Sequence, residues 1–166
     1  EKIRIIRNHG LKNRGIVNYV GQNSRLSEIN ASALSKKIKY LKQDTIHKMR
    51  LAKIYDMFLD ENNIILPKNG SESGTIHTYH RYVIRTKRRK DLINYLRDSG
   101  IETLIHYEKN IHQQKSILAK LKIPYRLKVT EEISKETLSL PINHFLNESQ
   151  IRFVIKTINN FFTKNN

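Results

Sequence analysis

Extended and helical segments alternate in the second half of the chain, and this order restricts the fold more than any other feature. Residues 79–85 have the β-branched and aromatic content of a strand. Residues 91–97 fit a helix, and Ser99-Gly100 supplies a left-handed helix terminator. Residues 101–105 then read as a second short strand. The order predicts a mixed α/β (α+β) fold with a small sheet.

A long helical pattern precedes this region. From residue 26 to about residue 60, apolar residues recur near helical spacing, with Ser24 or Ser27 as the N-cap and a break at residues 43–45. The apolar positions include Leu26, Ile29, Ala33, Ile38, Leu41, Met49, Ala52, Tyr55 and Phe58. The pattern predicts one long, kinked helix or two helices in series.

Helices are also predicted at both ends of the chain. Residues 1–7 read as the middle of a helix, so the chain is expected to begin inside an element, as a fragment or a processed product. The buried side of this helix is expected to carry Ile3, Ile6 and Ile5. Near the other end, Asn147 and Gln150 form a variant of the capping box. The helix that they begin is expected to pack on the sheet through Ile151, Val154, Ile155, Ile158, Phe161 and Phe162.

Length and composition restrict the class of protein. The 166 residues suffice for one ordinary domain with its own core. No apolar run is long enough to span a bilayer, and the start of the chain lacks the features of a signal peptide. The absence of cysteine excludes disulfides, thiolate metal sites and a cysteine nucleophile. We expect a soluble, cytoplasmic protein with no membrane partner.

The net charge of +16 raises the alternative of a nucleic-acid-binding module. Lysine and arginine are, however, scattered along the chain, and the densest group, at residues 85–90, falls where a strand is expected to turn into a helix. This distribution is typical of a solvated surface. We therefore expect no nucleic-acid partner, while a basic surface still attracts anionic ligands by electrostatic steering.

A metal site is a second hypothesis, because the chain contains seven histidines. His77 and His80 are close in sequence, and His106 and His112 flank a loop. Positions three apart in a strand face opposite sides, however, and the nearest carboxylate, Glu108, is not at a recognised ligand spacing. No metal site is expected.

Polar residues gather just before the long helical pattern. Asn23, Ser24 and Arg25 follow Gly21, so an amide, a hydroxyl, a guanidinium and the N–H groups of a helix start can converge on an anion such as phosphate. The alternative is an N-cap loop in which Arg25 pairs with Glu28 one helical turn later. The residues alone leave both interpretations open.

Four segments, taken in their order, resemble those of one known family. They are residues 7–10 (Arg-Asn-His-Gly), 21–29 (Gly-Gln-Asn-Ser-Arg-Leu-Ser-Glu-Ile), 105–112 (Ile-His-Tyr-Glu-Lys-Asn-Ile-His) and 138–142 (Leu-Ser-Leu-Pro-Ile). The family is DegT/DnrJ/StrS, whose members are pyridoxal-phosphate (PLP) aminotransferases of nucleotide-linked keto sugars. The resemblance covers nearly the whole chain but only the C-terminal half of such an enzyme. It implies part of a PLP-transferase of fold type I, in which a long helix precedes a small, mostly antiparallel sheet covered by helices.

The resemblance implies that Asn23 and Arg25 bind the cofactor. In the family, the Asn of the Gly-x-Asn-x-Arg segment reaches across a dimer interface to the PLP phosphate of the neighbouring subunit, and the Arg is the associated basic residue. Gln22 and Asn30 depart from the residues usual in the family. Neither change removes the partner of the phosphate.

The resemblance also implies residues that bind the substrate. A His-Tyr-Pro-x-Pro-x-His loop lies at the mouth of the family's active site, which makes His106 and Tyr107 candidates. Residues 108–110 (Glu-Lys-Asn) replace its proline-containing stretch, so either the sugar preference has shifted or the site has degenerated. Tyr79 and His80 match a Tyr-His pair of another family strand, where substrate contact and simple strand packing are both open.

The implied reaction is a ping-pong transamination from a donor, commonly glutamate, to a keto carbon of a nucleoside-diphosphate sugar, by a homodimer with shared active sites. Relatives serve surface-polysaccharide or antibiotic biosynthesis. Residues 1–45 would be a remnant of the large PLP-binding domain with an interface loop and helix, and residues 46–166 the small C-terminal domain. No lysine matches the family's Ser-(Phe/His)-x-x-Lys pattern, so no catalytic residue is assigned, and the chain alone is expected to be inactive. A non-catalytic relative is the main alternative.

Overall fold

The computed structural model describes residues 1–13, 15–68, 74–118 and 126–164. They divide into an N-terminal unit, residues 1–42, and a C-terminal unit, residues 43–166, with the boundary in the first turn of a long helix. Among the described residues, no helix combines the length and the apolar character that crossing a bilayer requires.

The N-terminal unit contains two short strands and two helices. In chain order these are α1 (Lys2–Ile6), β1 (Leu11–Asn13), β2 (Ile16–Val17) and α2 (Glu28–Lys37). β1 and β2 pair antiparallel. The Oγ of Ser27 accepts a hydrogen bond from the backbone N–H of Asn30 at 3.3 Å, which satisfies a donor at the start of α2. Ser27 is therefore the N-cap, as one of the two predicted alternatives has it.

The long helical pattern folds as two helices in series, α2 and α3 (Leu41–Phe58). The predicted break at residues 43–45 is wrong. The α-helix ends at residues 38–40. There the backbone hydrogen bonds span three residues instead of four, as in the bond from the Lys39 N–H to the Lys36 carbonyl. Asp44 instead lies in the first turn of α3, where the helix dipole favours a carboxylate.

The predicted burial of Ile3 is also wrong, whereas Ile5 and Ile6 are partly buried. Ile3 is 80% exposed and Ile29 is 83% exposed, and α2 buries no residue. Leu26 and Ile38 are likewise exposed. The physical reason is the position of the core, because every buried hydrophobic residue among those described lies at or beyond Leu51. The N-terminal unit therefore presents apolar side chains without a core of its own.

The C-terminal unit is built around a small antiparallel sheet. After α3 its elements are β3 (Tyr82–Arg85), α4 (Arg89–Asp98), a 3-10 turn (Ile111–Gln113), α5 (Lys115–Leu118), α6 (Lys128–Glu136), β4 (Thr137–Leu140) and α7 (Glu148–Lys164). β3 and β4 pair antiparallel, with Val83 opposite Ser139. Single bridges from Ile65 to Arg85 and from Leu104 to Ser139 extend the pairing. The predicted mixed fold with a small antiparallel sheet and helices is confirmed.

Both predicted strands are shorter than expected. The strand placed at residues 79–85 begins only at Tyr82, because Tyr79 has a positive φ of 45°, outside the extended region. The strand placed at residues 101–105 contributes only the Leu104 bridge. Between these segments α4 forms as expected, and Gly100 follows it with a φ of +76°. The predicted left-handed terminator is therefore confirmed.

Helix α7 follows its prediction. The backbone N–H of Gln150 donates to the Asn147 side chain, and the backbone N–H of Asn147 donates to the Gln150 side chain, both at 3.0 Å. The six apolar residues predicted on one face are all buried. The ring of Phe161 packs against Tyr95 of α4 at 5.3 Å between centroids, so the face covers its neighbouring helix as well as the core.

Stacked tyrosines join α3 to the sheet. The ring centroids of Tyr55 and Tyr82 are 4.6 Å apart, and both side chains are fully buried. The Tyr55 hydroxyl donates to the Pro141 carbonyl at 2.9 Å, and the Tyr82 hydroxyl donates to Asp56 at 2.5 Å. Burial, followed by the hydrogen bond to Asp56, raises the pKa of Tyr82. The stack fixes the start of β3, which lies next to the candidate site.

Candidate functional site

The segment that carries Asn23 is held by backbone hydrogen bonds to the end of α1. The N–H groups of Gln22 and Ser24 donate to the carbonyls of Ile6 and Arg7, each at 2.9 Å. This close approach needs glycine, because a Cβ on Gly21 would lie 2.2 Å from the backbone nitrogen of Gly10. The Gly of the Gly-x-Asn-x-Arg segment therefore has a structural role in this chain.

Asn23 and Arg25 are brought together on an exposed loop that precedes α2. The Asn23 side chain is solvent-exposed and hydrogen-bonds no residue that the structure describes. The Arg25 guanidinium donates to the side-chain oxygen of Asn8, and Glu28, the alternative partner, is not engaged. An amide and a guanidinium in this position form a donor set that fits a phosphate group. Their role as cofactor ligands stays a prediction.

The C-terminal unit contains a cleft of about 820 Å³. Its walls are the segment from residue 100 to residue 106, β4 with the turn that follows, and the first turns of α7. Both His80 and His106 line it, together with Arg81, Ser139 and Asn143. The structure thus brings two of the predicted substrate residues to one cleft, together with a cation that the sequence analysis did not single out.

His106 is fixed by β4. Its Nδ1 lies 2.9 Å from the Ser139 hydroxyl oxygen. Burial, and then the electrostatic effects of Arg81 and His80, lower the pKa of His106 from its ordinary value. The ring is therefore neutral at pH 7 and offers one N–H donor and one acceptor nitrogen.

The two predicted tyrosines lie differently. Tyr107 is 73% exposed, with its ring edge-on to His106 at 5.7 Å between centroids. Tyr79 is only 4% exposed and stacks on Tyr82 at 6.0 Å. Neither lines the cleft of His106, which leaves the substrate contacts of both as predictions. The Tyr79 ring is packed in the core, although residue 79 lies outside β3.

The loop that follows Tyr107 is held against α6. The Asn110 side chain donates to the Ser134 hydroxyl at 3.0 Å, and His112 Nε2 lies 3.2 Å from a carboxylate oxygen of Glu131. The side chains of His112 and Glu131 are 11% and 16% exposed, so solvent screens this contact only weakly. Sequence reasoning missed both partners on α6, because neither adjoins the loop in the chain.

The basic run at residues 85–90 is used inside the C-terminal unit. Arg85 forms an ion pair with Glu136 at 2.8 Å, and Arg89 donates to the Ser134 carbonyl at 2.6 Å. The guanidinium of Arg88 lies 4.5 Å from the centre of the Phe161 ring. Three of the five cations in this segment therefore make internal contacts, whereas Lys87 and Lys90 are exposed, and this does not support a nucleic-acid surface.

Residues 1–159 match the family model of the DegT/DnrJ/EryC1/StrS aminotransferases. The chain belongs to this family. It is 33% identical to a pleiotropic regulatory protein of Geobacillus stearothermophilus, over 98% of this chain and 44% of the relative. It is 30% identical to dTDP-3-amino-3,6-dideoxy-alpha-D-galactopyranose transaminase of Aneurinibacillus thermoaerophilus, over 97% and 43%. The fold matches S. venezuelae DesV, solved in complex with a ketimine intermediate, with a TM-score of 0.88, 27% identity and coverage of 96% of this chain and 43% of DesV.

The DegT-family chain thus spans less than half the length of the curated relatives that it matches. Aminotransferases of this family depend on PLP. In the loop of residues 106–112, residues 108–110 depart from the proline-containing stretch that the family resemblance implies. The anchoring of this loop on α6 is therefore the feature to test first.

Replacing Glu131 by Gln is expected to loosen this loop. The change removes the charge that faces His112 and weakens a partly buried contact by about 1 kcal/mol, or roughly fivefold in the opening equilibrium. Hydrogen exchange at residues 108–114 measures it. Glu132→Gln, an exposed position on the same helix, is the matched control and should leave exchange unchanged. Equal exchange in wild type and Glu131→Gln would show that the contact does not hold the loop.

Proposed function

We propose that this chain forms the C-terminal part of a PLP-dependent aminotransferase that transfers an amino group, from glutamate, to a keto carbon of a nucleoside-diphosphate sugar. The family match over residues 1–159 carries the proposal. The relative from A. thermoaerophilus is itself named as a transaminase of a dTDP-linked amino sugar. The coverage of about 43% of such relatives supports a partial enzyme whose remaining residues lie outside this chain.

Asn23 and Arg25 are proposed to hold the phosphate of PLP. Amide and guanidinium groups donate hydrogen bonds to anionic oxygens, and the Arg25 guanidinium is held by Asn8. When bound, the cofactor supplies the electron sink that lets an amino group move. The residues of this chain bind and orient it, whereas the lysine that the chemistry requires is proposed to lie outside the chain.

The N-terminal unit supports a shared active site in a homodimer. Its apolar side chains, such as those of Ile29, Leu34 and Ile38, are exposed, and α2 buries none of them. Exposed apolar side chains of this kind form a surface that a partner can cover. We propose that the rest of the protein and a second subunit cover it, in a cytoplasmic enzyme, so that Asn23 serves the cofactor of the neighbouring subunit.

The cleft of His106 is proposed to receive the sugar. A neutral His106 exchanges hydrogen bonds with sugar oxygens, and Tyr107 adds an exposed hydroxyl beside it. Arg81 places positive charge in the cleft, which attracts the anionic diphosphate. Tyr79 is proposed to act with His80, since its buried ring fixes the backbone on which His80 sits.

A non-catalytic relative is the second candidate. It is favoured by the replacement of the prolines at residues 108–110. The relative from G. stearothermophilus is named as a regulatory protein, which is consistent with a non-catalytic role in the family. The anchored loop weighs against degeneration, because Asn110 and His112 keep specific partners on α6.

An amination assay decides between these candidates. The chain is produced alone and together with a lysine-bearing large domain, and each is given PLP, glutamate and 3-keto or 4-keto sugars linked to UDP or dTDP. Amino-sugar formation by the combined protein and none by the chain alone is expected. Binding of a nucleotide sugar without turnover would favour the non-catalytic relative. Activity of the chain alone would contradict the proposed place of the lysine.

Replacing Asn23 by Ala is expected to weaken PLP binding by the complete protein. The change removes one donor to a charged phosphate, worth about 1.5–3 kcal/mol, so the Kd should rise roughly ten- to a hundredfold. Fluorescence titration of the cofactor measures the Kd. Asn30→Ala, exposed on α2, is the matched control. An unchanged Kd in Asn23→Ala would remove Asn23 from the cofactor site.

A further inference from the structure

We propose that Ser139 is a positioning residue that holds His106 in the tautomer protonated on Nε2. This assignment rests on contacts within the C-terminal unit. Its consequence for substrate recognition rests in addition on the proposed aminotransferase function. Neither residue pattern nor family resemblance had given Ser139 a role in the sequence analysis.

Backbone hydrogen bonds hold Ser139 in place beside His106. It lies in β4 opposite Val83, and the residue is only 7% exposed. Its backbone N–H donates to the Leu104 carbonyl at 2.8 Å, and its carbonyl accepts from the Leu104 N–H at 3.3 Å. Because Ser139 pairs with Val83 on one side and Leu104 on the other, its backbone is fixed and so is the origin of its side chain. Leu104 also lies two residues before His106, which ties both partners to the same bridge.

The hydroxyl hydrogen decides the tautomer. A buried O–H group needs an acceptor. Among the residues that the structure describes, the contact found for the Ser139 hydroxyl is His106 Nδ1, at 2.9 Å. If Nδ1 carried the proton, the hydroxyl oxygen would accept it, and its own hydrogen would have no acceptor among the described residues. Nδ1 therefore accepts, and the single proton of the neutral ring stands on Nε2.

The surrounding charges keep the ring neutral. Arg81 and His80 both act on His106 from the segment that leads into β3, and burial acts in the same direction on its pKa. Glu102, which also lines the cleft, is exposed and is not among the groups that shift this pKa. A neutral imidazole has one N–H, so the choice of tautomer sets whether Nε2 donates or accepts.

The consequence is a defined preference at the cleft. An Nε2–H donor recognises an acceptor oxygen, such as a carbonyl or hydroxyl oxygen of a keto sugar, and discriminates against a ligand group that can only donate. The wrong tautomer would leave a ligand oxygen facing a lone pair. Ser139 would thus affect recognition without touching the substrate.

Nitrogen-15 NMR of the imidazole rings tests the assignment in the chain and its variants. In wild type, His106 should show the Nε2-protonated tautomer. Ser139→Ala should give a mixture of tautomers and raise the pKa of His106 by about half a unit to one unit, because a donor to the neutral ring is lost. Ser139→Thr keeps the hydroxyl on a residue that strands favour, and it should restore both signals. Ser149→Ala, in the same cleft but without a contact to His106, is the control.

An Nδ1-protonated His106 in wild type would overturn the proposal, as would a tautomer and pKa that are the same in Ser139→Ala. Should Ser139→Ala fail to fold, the wild-type tautomer and the Ser139→Thr signals still decide. The amination assay separates the tautomer assignment from the proposed aminotransferase function. A confirmed tautomer in a protein without transaminase activity would refute the proposed function and leave the Ser139–His106 assignment standing.

Discussion

Gly10→Ala is expected to disrupt the N-terminal unit. Gly10 has a φ of +75°, and an added Cβ would lie 1.7 Å from the carbonyl oxygen of Tyr19 and 2.8 Å from its carbon. Both atoms belong to the backbone and cannot rotate aside. The left-handed conformation adds strain for any residue with a Cβ. We expect a loss of about 3 kcal/mol or more, measured as faster hydrogen exchange at residues 6–24.

Gly15→Ala is the matched control for this variant. Gly15 also has a positive φ, of +86°, but a Cβ there would meet no atom within 4 Å. It should therefore show only the conformational strain of about 1 kcal/mol. Equal exchange in the two variants would mean that the close approach of Gly10 to Tyr19 does not hold in solution. In the proposed complete enzyme, Gly10→Ala should also weaken PLP binding, because Asn8, two residues before Gly10, forms a β-bridge with Asn23.

Tyr82→Ala is expected to cost the C-terminal unit about 3–5 kcal/mol in free energy of unfolding. Tyr82 is fully buried, stacks between Tyr55 and Tyr79, and donates to Asp56. Truncation to alanine leaves a cavity beneath the start of β3 and removes both ring contacts. Urea unfolding followed by circular dichroism measures the loss.

Tyr82→Phe separates the ring from the hydroxyl. It keeps the stacked ring and removes the hydrogen bond to the Asp56 carboxylate, so about 1.5–3 kcal/mol should be lost. The order wild type, Phe, Ala in unfolding free energy is expected. A phenylalanine variant as unstable as the alanine variant would show that the hydroxyl contact, not the stack, holds α3 to the sheet.

Elements with local signals were predictable from the sequence. Helix α7 has a capping pair at Asn147 and Gln150 and a continuous apolar face, and both are properties of neighbouring residues. The terminator of α4 at Gly100 is equally local. Strand β4 was not recognised, because four residues carry too little pattern and its pairing partner, β3, lies far away in the chain.

The N-terminal unit shows where periodicity misleads. The recurrence of Leu26, Ile29 and Ile38 at near-helical spacing predicted helices, and these residues are exposed. Helical spacing reports an apolar face but not what covers it. In a chain that spans about 43% of its relatives, residues outside the chain are the proposed cover.

For the cleft, two lining residues were named in advance, but the contacts that they make were not. His80 and His106 were named from the sequence, and both line one cleft. The partner of His106 is Ser139, 33 positions away, and the partner of His112 is Glu131, 19 positions away. Such long-range pairs depend on tertiary packing, so a single sequence holds no local signal for them.

The coding sequence immediately upstream of Glu1, read in the same frame, tests the central claim most directly. The account predicts an open frame that encodes a large domain and, shortly before Glu1, the Ser-(Phe/His)-x-x-Lys pattern. That result would justify assaying the complete dimer as a nucleotide-sugar aminotransferase. A stop codon followed by an independent start would contradict the claim that this chain continues a PLP-binding domain.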